Sequence, residues 1–222
     1  MERPTSVVNE PSPINAPVAI KRKRDVWRDA ARILSTIFNP FLTSLALFII
    51  LSHARATSVE NFWWLLFLST FFTSIGPMAF VFWLYATERI SDLDMSIRTE
   101  RETVFGAFVI FYLAGTVALW VTHSPKLLIA AMAGFTLSTF VVQYITRYWK
   151  ISTHALGITA PLVALGLLPG GQQVWPFAVL VPMICWARVY LKAHTILQVI
   201  AGCALATFSV VFFFWLFHIV QL

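Results

Sequence analysis

Seven apolar runs, each close to the length that crosses a bilayer, leave this chain few ways to fold. They fall at about 36–53, 62–86, 103–122, 126–146, 151–168, 174–191 and 195–219. The hydrocarbon core of a membrane is roughly 30 Å thick, which about 20 helical residues span. Inside it every backbone N–H and C=O must find a partner within the protein, so the runs are expected as helices. Composition agrees. Of 222 residues, 59% are hydrophobic and 12% are charged, against roughly 25% charged in a soluble domain. The expected fold is an all-α polytopic transmembrane bundle of six to seven spans, with one short run open to re-entrance.

The punctuation between runs supports that division. Gly76–Pro77 predicts a kink in the long second run. His123–Pro125 is a tight turn, and the uncharged turn Pro169–Gln173 joins the fifth and sixth runs. No internal repeat and no soluble domain is visible. Residues 1 to about 24 are polar, carry Pro4, Pro11, Pro13 and Pro17, and end in the basic cluster Lys21–Arg24. Without apolar periodicity they are expected to be disordered, and they lack the pattern of a signal peptide. The cluster fits an anionic-lipid contact, a topology anchor or a nuclear-type signal. From Asp25 the sequence predicts an interfacial helix with Trp27, Ala31, Ile33 and Leu34 toward lipid. The organisation is therefore a basic N-terminal region over 1–34 and a transmembrane domain over 35–222.

Basic residues set the expected orientation. Fourteen of the sixteen Lys and Arg fall on the side of the N-terminus, while Arg55 and Lys126 fall on the other. By the positive-inside bias, the N-terminus and the loops after the second, fourth and sixth runs are cytoplasmic. The net charge of +6 thus sits at membrane edges and does not point to nucleic acid.

All ten Asp and Glu lie at or before Glu102. That distribution disfavours paired aspartate-rich magnesium sites, of which only Asp92 and Asp94 offer an imitation, and it disfavours paired-carboxylate hydrolysis. A solute transporter would want intramembrane charges or a repeat. Cys185 and Cys203 lie in apolar runs with no CxxC or Cys/His cluster, so neither a disulfide framework nor a zinc site is expected.

What remains for chemistry is Arg, Lys, His, Ser and Gln at the water's edge. The stretch Ala187–Gln198 holds Arg188 and His194 between two apolar runs. Lys150–Ala155 holds Lys150, Ser152 and His154, and Ile90–Glu102 holds Arg98 and Arg101. Arginine grips phosphoryl oxygens, and histidine attacks phosphorus or transfers protons. All three stretches fall on the expected cytoplasmic side, so they are expected to close around one phosphate group.

In order and spacing the three stretches resemble the type 2 phosphatidic acid phosphatase superfamily of membrane lipid phosphatases, over roughly residues 36 to 210. That family carries K-x6-R-P, then P-S-G-H, then S-R-x5-H-x3-D. The third motif keeps Arg188 and His194, with Gln198 where the family has Asp. The second keeps Ser152 and His154, with Ile151 and Thr153 for Pro and Gly. For the first, either Arg98 or Arg101 is its Arg; neither precedes Pro, and Ser91 and Asp94 stand in the Lys place. Gly202–Ala206 is similar to the small-residue run that follows the third motif. The chain reads as a divergent member.

The resemblance implies metal-independent hydrolysis of a lipid or prenyl phosphomonoester or diphosphate, with no cofactor. His194 would be the nucleophile, forming a phosphohistidine, and His154 the general acid and base. Arg188, Arg98 or Arg101, Lys150 and Ser152 would bind phosphate. Gln198 would orient His194 as a neutral amide, with Asp94 or Glu100 able to supply the missing charge. The alternative is a catalytically weak or inactive phosphatase-like subunit that binds lipid or packs in a membrane complex. Membrane lipids and the phosphate substrate are the expected partners.

Overall fold

The computed structural model describes residues 25–93 and 97–221, and all its regular elements are helical. They are α1 (Val26–Ile37), α2 (Pro40–Arg55), α3 (Val59–Thr70), a π turn (Phe71–Ile75), α4 (Gly76–Ala86), α5 (Arg98–Val121), α6 (Lys126–Thr146), α7 (Thr153–Gly166), a 3-10 segment (Gly171–Val179), α8 (Leu180–Tyr190) and α9 (Ile196–Leu216). The basic cluster Lys21–Arg24 and the candidate acid Asp94 lie outside the described residues.

Each apolar run is helical, but not each is a span. Five segments are long and apolar enough to cross a membrane: Val59–Ala86, Arg98–Val121, Lys126–Thr146, Gly171–Tyr190 and Ile196–Leu216. α1 and α2 together make a sixth, bent by 44°. The bend follows from Asn39–Pro40. Asn39 Oδ1 caps α2 by accepting the N–H groups of Phe41 and Leu42, each at 3.0 Å, and proline at the first helical position has no N–H to lose. The fifth run gives only the 14-residue α7, about 21 Å at 1.5 Å per residue, short of the hydrocarbon thickness. Six of the seven runs therefore give helices long and apolar enough to span, one of them bent, which meets the expected six to seven at its lower bound. The fifth is the exception, its helix capped at Ser152 and ended at Gly166. Near Gly76–Pro77 the second run is a single 28-residue segment, with the π turn placed just before the proline.

Packing gathers α5 on α6, α6 on α9, α7 on α9 and α2 on α7. Phe48, Leu51, Leu65, Leu119, Leu128, Met132 and Phe214 are fully enclosed among these helices. In lipid, where apolar burial between helices gains little, small residues and hydroxyls hold helices together. Ser44 and Ser74 hydrogen-bond at 2.9 Å, and Thr116 and Thr136 at 3.0 Å. Gly202 lets α9 approach α7 so closely that a Cβ there would stand 2.6 Å from the Ser152 carbonyl oxygen.

α1 departs from the sequence expectation in one respect. Trp27 and Ile33 are exposed at 66% and 58%, but Ala31 is fully buried. The reason is that α1 packs against α8: Trp27 meets Trp186 edge-on at 6.2 Å, and the Tyr190 hydroxyl donates to Asp25 at 3.2 Å. The helix also runs across residue 34, where the N-terminal region was expected to end.

Candidate active site

The end of α8 sets the first half of the site. Lys192 adopts a left-handed φ of 56°, so the chain turns back: Lys192 N–H donates to the Val189 carbonyl at 2.9 Å and Ala193 N–H to the Arg188 carbonyl at 3.0 Å. This pair of bonds is the Schellman stop of a helix. His194 N–H also reaches the Arg188 carbonyl, at 3.3 Å. The five residues between Arg188 and His194 are thus one helix stop, which brings the imidazole back beside the guanidinium. α9 then starts at a capping box. Thr195 Oγ1 accepts the Gln198 N–H at 3.4 Å, and Gln198 Oε1 accepts the Thr195 N–H at 3.0 Å.

The second half comes from α7. Ser152 is wholly buried, and its hydroxyl caps the helix by accepting the Ala155 N–H at 3.3 Å. That cap places His154 in the first turn, and the Ser35 carbonyl of α1 acts on its ring. Each imidazole lies within the electrostatic reach of Arg188, and His154 also feels His194.

These groups open on one cavity of about 810 Å³. Arg101, Lys150, His154, Arg188 and His194 line it, all half-buried. Phe41, Phe105, Phe108, Tyr112 and Phe135 continue it as an apolar chamber. Its described wall carries no Asp or Glu. Arg101 Nε and His194 Nδ1 are buried without a hydrogen-bond partner among the described residues. Burial first, then Lys150 and Arg188, push the His194 imidazole from its ordinary 6.5 down to about 3, with the Gln198 amide pulling the other way. Burial and the neighbouring cations thus favour the neutral form of the ring.

The cavity gathers some of the sequence candidates and leaves others aside. Of the two first-motif arginines, Arg101 lines the cavity, whereas Arg98 is exposed and pairs with Glu102 at 3.3 Å. At i and i+3 the two share one side of α5, but Arg98 is the first residue of the helix, about one turn nearer its exposed end. Ser152 does not line the cavity; its hydroxyl is committed to the α7 cap. Gln198 stands behind His194 rather than on the wall, and its oxygen is held by Thr195. Glu100 accepts from the Ser91 N–H and hydroxyl at 3.0 Å each, away from the imidazoles. Among the described residues no group of three or more His, Cys, Asp or Glu could hold a metal ion.

Sequence reasoning missed Arg28 and Arg32 of α1, which also line the cavity. The signal was there: Arg28, Arg32, Ser35, Thr36 and Asn39 recur at helical spacing. It was hidden because basic residues before a first span also serve as topology anchors.

Over 68 residues the chain is 38% identical to sphingosine-1-phosphate phosphatase 1 of Mus musculus. The matched stretch is 28% of this chain and 16% of that protein. No family model matches the chain, and no solved structure matches it.

Proposed function

We propose that this chain is an integral membrane lipid phosphatase that hydrolyses a lipid or prenyl phosphate at the cytoplasmic face, without a metal ion. The observation that carries the reading is the cavity in which two imidazoles and five cationic side chains, Arg101, Lys150 and Arg188 innermost, meet an apolar chamber. A phosphate ester with a long tail has the matching halves. The local likeness to a lipid phosphate phosphatase supports the same class.

In this reading the tail lies among Phe105, Phe108 and Phe135, and Arg101, Lys150 and Arg188 surround the phosphoryl oxygens. At an effective dielectric near 20, a cation about 4 Å from a phosphate charge contributes roughly 4 kcal/mol. The contribution matters most where charge develops in the transition state. The arriving dianion offsets the repulsion that the cations exert on both rings, so a proton is held more readily with substrate bound. His194 attacks phosphorus through a ring nitrogen, and the P–O bond to the tail breaks. The electron pair leaves with the tail oxygen, which takes a proton from His154. Water then attacks phosphorus and gives its proton to His154, while the P–N bond breaks and its electron pair returns to the His194 ring. Inorganic phosphate and the lipid alcohol are the products.

A second reading has a specific observation behind it. Gln198 offers His194 no negative charge, and its oxygen is already bonded to Thr195. A slow enzyme, or a lipid-binding subunit without turnover, would look the same. The test is a phosphate trap. Purified protein in detergent and chelator is mixed with a 32P-labelled lipid phosphate and quenched with base. Label retained on protein, lost in His194→Ala and accumulated in His154→Ala, supports the enzyme. Phosphate release that survives His194→Ala refutes the mechanism, and lipid binding with neither label nor release leaves the subunit reading.

A further inference from the structure

α1 presents a polar stripe to the cavity, and its two ends meet different things. The Ser35 carbonyl at the inner end acts on His154. Arg32 comes one turn before, and Arg28 a further turn of about 5.4 Å out, beside the Tyr190 hydroxyl, whose ionisation it influences. Both arginines are exposed.

The facing wall is of opposite character. Met78 and Phe82 of α4 line the same cavity while remaining 39% and 52% exposed. α1 packs on α8, and α4 packs on α5; α1 and α4 are not among the closely packed pairs. Between them the cavity has one cationic edge and one apolar edge. An anionic amphiphile moving in from the bilayer needs that pairing, since its head must stay solvated by charge while its tail stays in apolar surroundings.

We propose that Arg28 and Arg32 are a headgroup-capture element: a bilayer-borne lipid phosphate enters between α1 and α4, its head held first by these arginines and its tail passing over Met78 and Phe82. This rests on the phosphate reading of the inner site and adds an outer station to it. It assigns to α1 a selectivity for phosphates that carry a tail, because a small anion from water reaches the inner cations without it.

The test compares two ligands on the full chain in phosphatidylcholine vesicles, where no anionic lipid confuses the result. One is a radiolabelled long-chain alkylphosphonate carried in the bilayer, and the other is radiolabelled inorganic phosphate from water. Binding is read by scintillation proximity. Arg28→Gln/Arg32→Gln should slow alkylphosphonate association about tenfold or more, from the strength with which membrane-edge cations hold anions, with phosphate affinity kept within about threefold. Met78→Trp/Phe82→Trp, which narrows the apolar edge, should slow the alkylphosphonate alone. Equal loss of both ligands in the arginine variant would make these residues part of the inner clamp and overturn the proposal. Unchanged association in both variants overturns it as well. Wild-type protein that binds neither ligand removes the phosphate site and the capture element together. Wild-type protein that binds both, with the expected variant effects but no hydrolysis of a lipid phosphate, upholds the capture element and removes only the phosphatase.

Discussion

The backbone N–H of Ser152 donates to the carbonyl of Gln198 at 3.2 Å. This one bond ties the start of α7 to the first turn of α9, and so ties the two histidine segments to each other. Gly202, one turn further along α9, keeps the approach open. Gly202→Ala would put a Cβ 2.6 Å from the Ser152 carbonyl oxygen, a backbone atom that cannot rotate away. We expect α7 to shift, at a cost of about 1–3 kcal/mol for overpacking, and the imidazoles to separate. Thermal melts in detergent should fall while helical content stays unchanged. Activity should fall more steeply than stability, and a variant that melts earlier yet keeps full turnover would contradict this account.

The two first-motif arginines should behave oppositely. Arg101→Gln removes a half-buried guanidinium from the cavity and should lower kcat/KM by about 10²–10³-fold, the range for losing one preorganised donor to developing charge. Arg98→Gln removes an exposed pair with Glu102, and such i,i+4 pairs contribute about 0.3–0.5 kcal/mol. Its kcat/KM should stay near wild type. Steady-state assays on both variants decide between them, and similar losses would show that position along α5 does not select the ligand.

How far the chain could be read without coordinates follows from which forces are local. The helices were legible because hydrocarbon forbids unpaired backbone, and the caps at Asn39, Ser152 and Thr195 are sequence-local. The joining of Arg188 to His194 was legible as a spacing, but its cause, the left-handed turn at Lys192, was not, since nothing in that residue type demands a positive φ. Arg98 and Arg101 could not be separated because they share one side of α5 and differ only in which turn of the helix reaches the cavity. The same holds for Ser152, whose hydroxyl could serve a cap or a ligand with equal chemistry. Arg28 and Arg32 needed the docking of α1 on α8, a long-range contact made by Trp27 and Tyr190 that no local pattern announces.

Stability should also carry the signature of a buried neutral imidazole. The unfolded chain's His194 takes a proton near 6.5, while the folded one resists it until about 3. Between those values the unfolded state binds more protons, so stability rises with pH. The contribution is fully present above 6.5 and is lost as pH falls toward 3. Melting temperatures measured from pH 7.5 to 4.5 should fall, and fall less in His194→Gln, whose amide does not titrate. Inorganic phosphate should reduce the wild-type loss by offsetting Lys150 and Arg188. Parallel pH curves for the two proteins would show that His194 is not the group responsible.

Gln198 is the position at which chemistry and helix capping meet. Its Oε1 holds the Thr195 N–H in the capping box, and the same amide weakly favours the protonated form of His194. Gln198→Ala should cost about 1 kcal/mol through the lost cap and leave the imidazole as hard to protonate as before, or harder. Gln198→Asp puts a negative charge at the third position of α9, where a helix N-terminus favours it, so stability should hold. A carboxylate behind the ring stabilises the charge that builds on it during attack, and replacing such an acid by an amide costs up to about 10⁴ in kcat where it has been measured in a serine–histidine–aspartate triad. Gln198→Asp should therefore raise the rate of 32P-phosphohistidine formation in a rapid-quench experiment. It should also lift the histidine titration that NMR loses in His194→Gln to a higher pH. A raised titration without faster phosphorylation would mean that nucleophile charge is not limiting. An unchanged titration would mean that the residue 198 side chain acts on Thr195 alone.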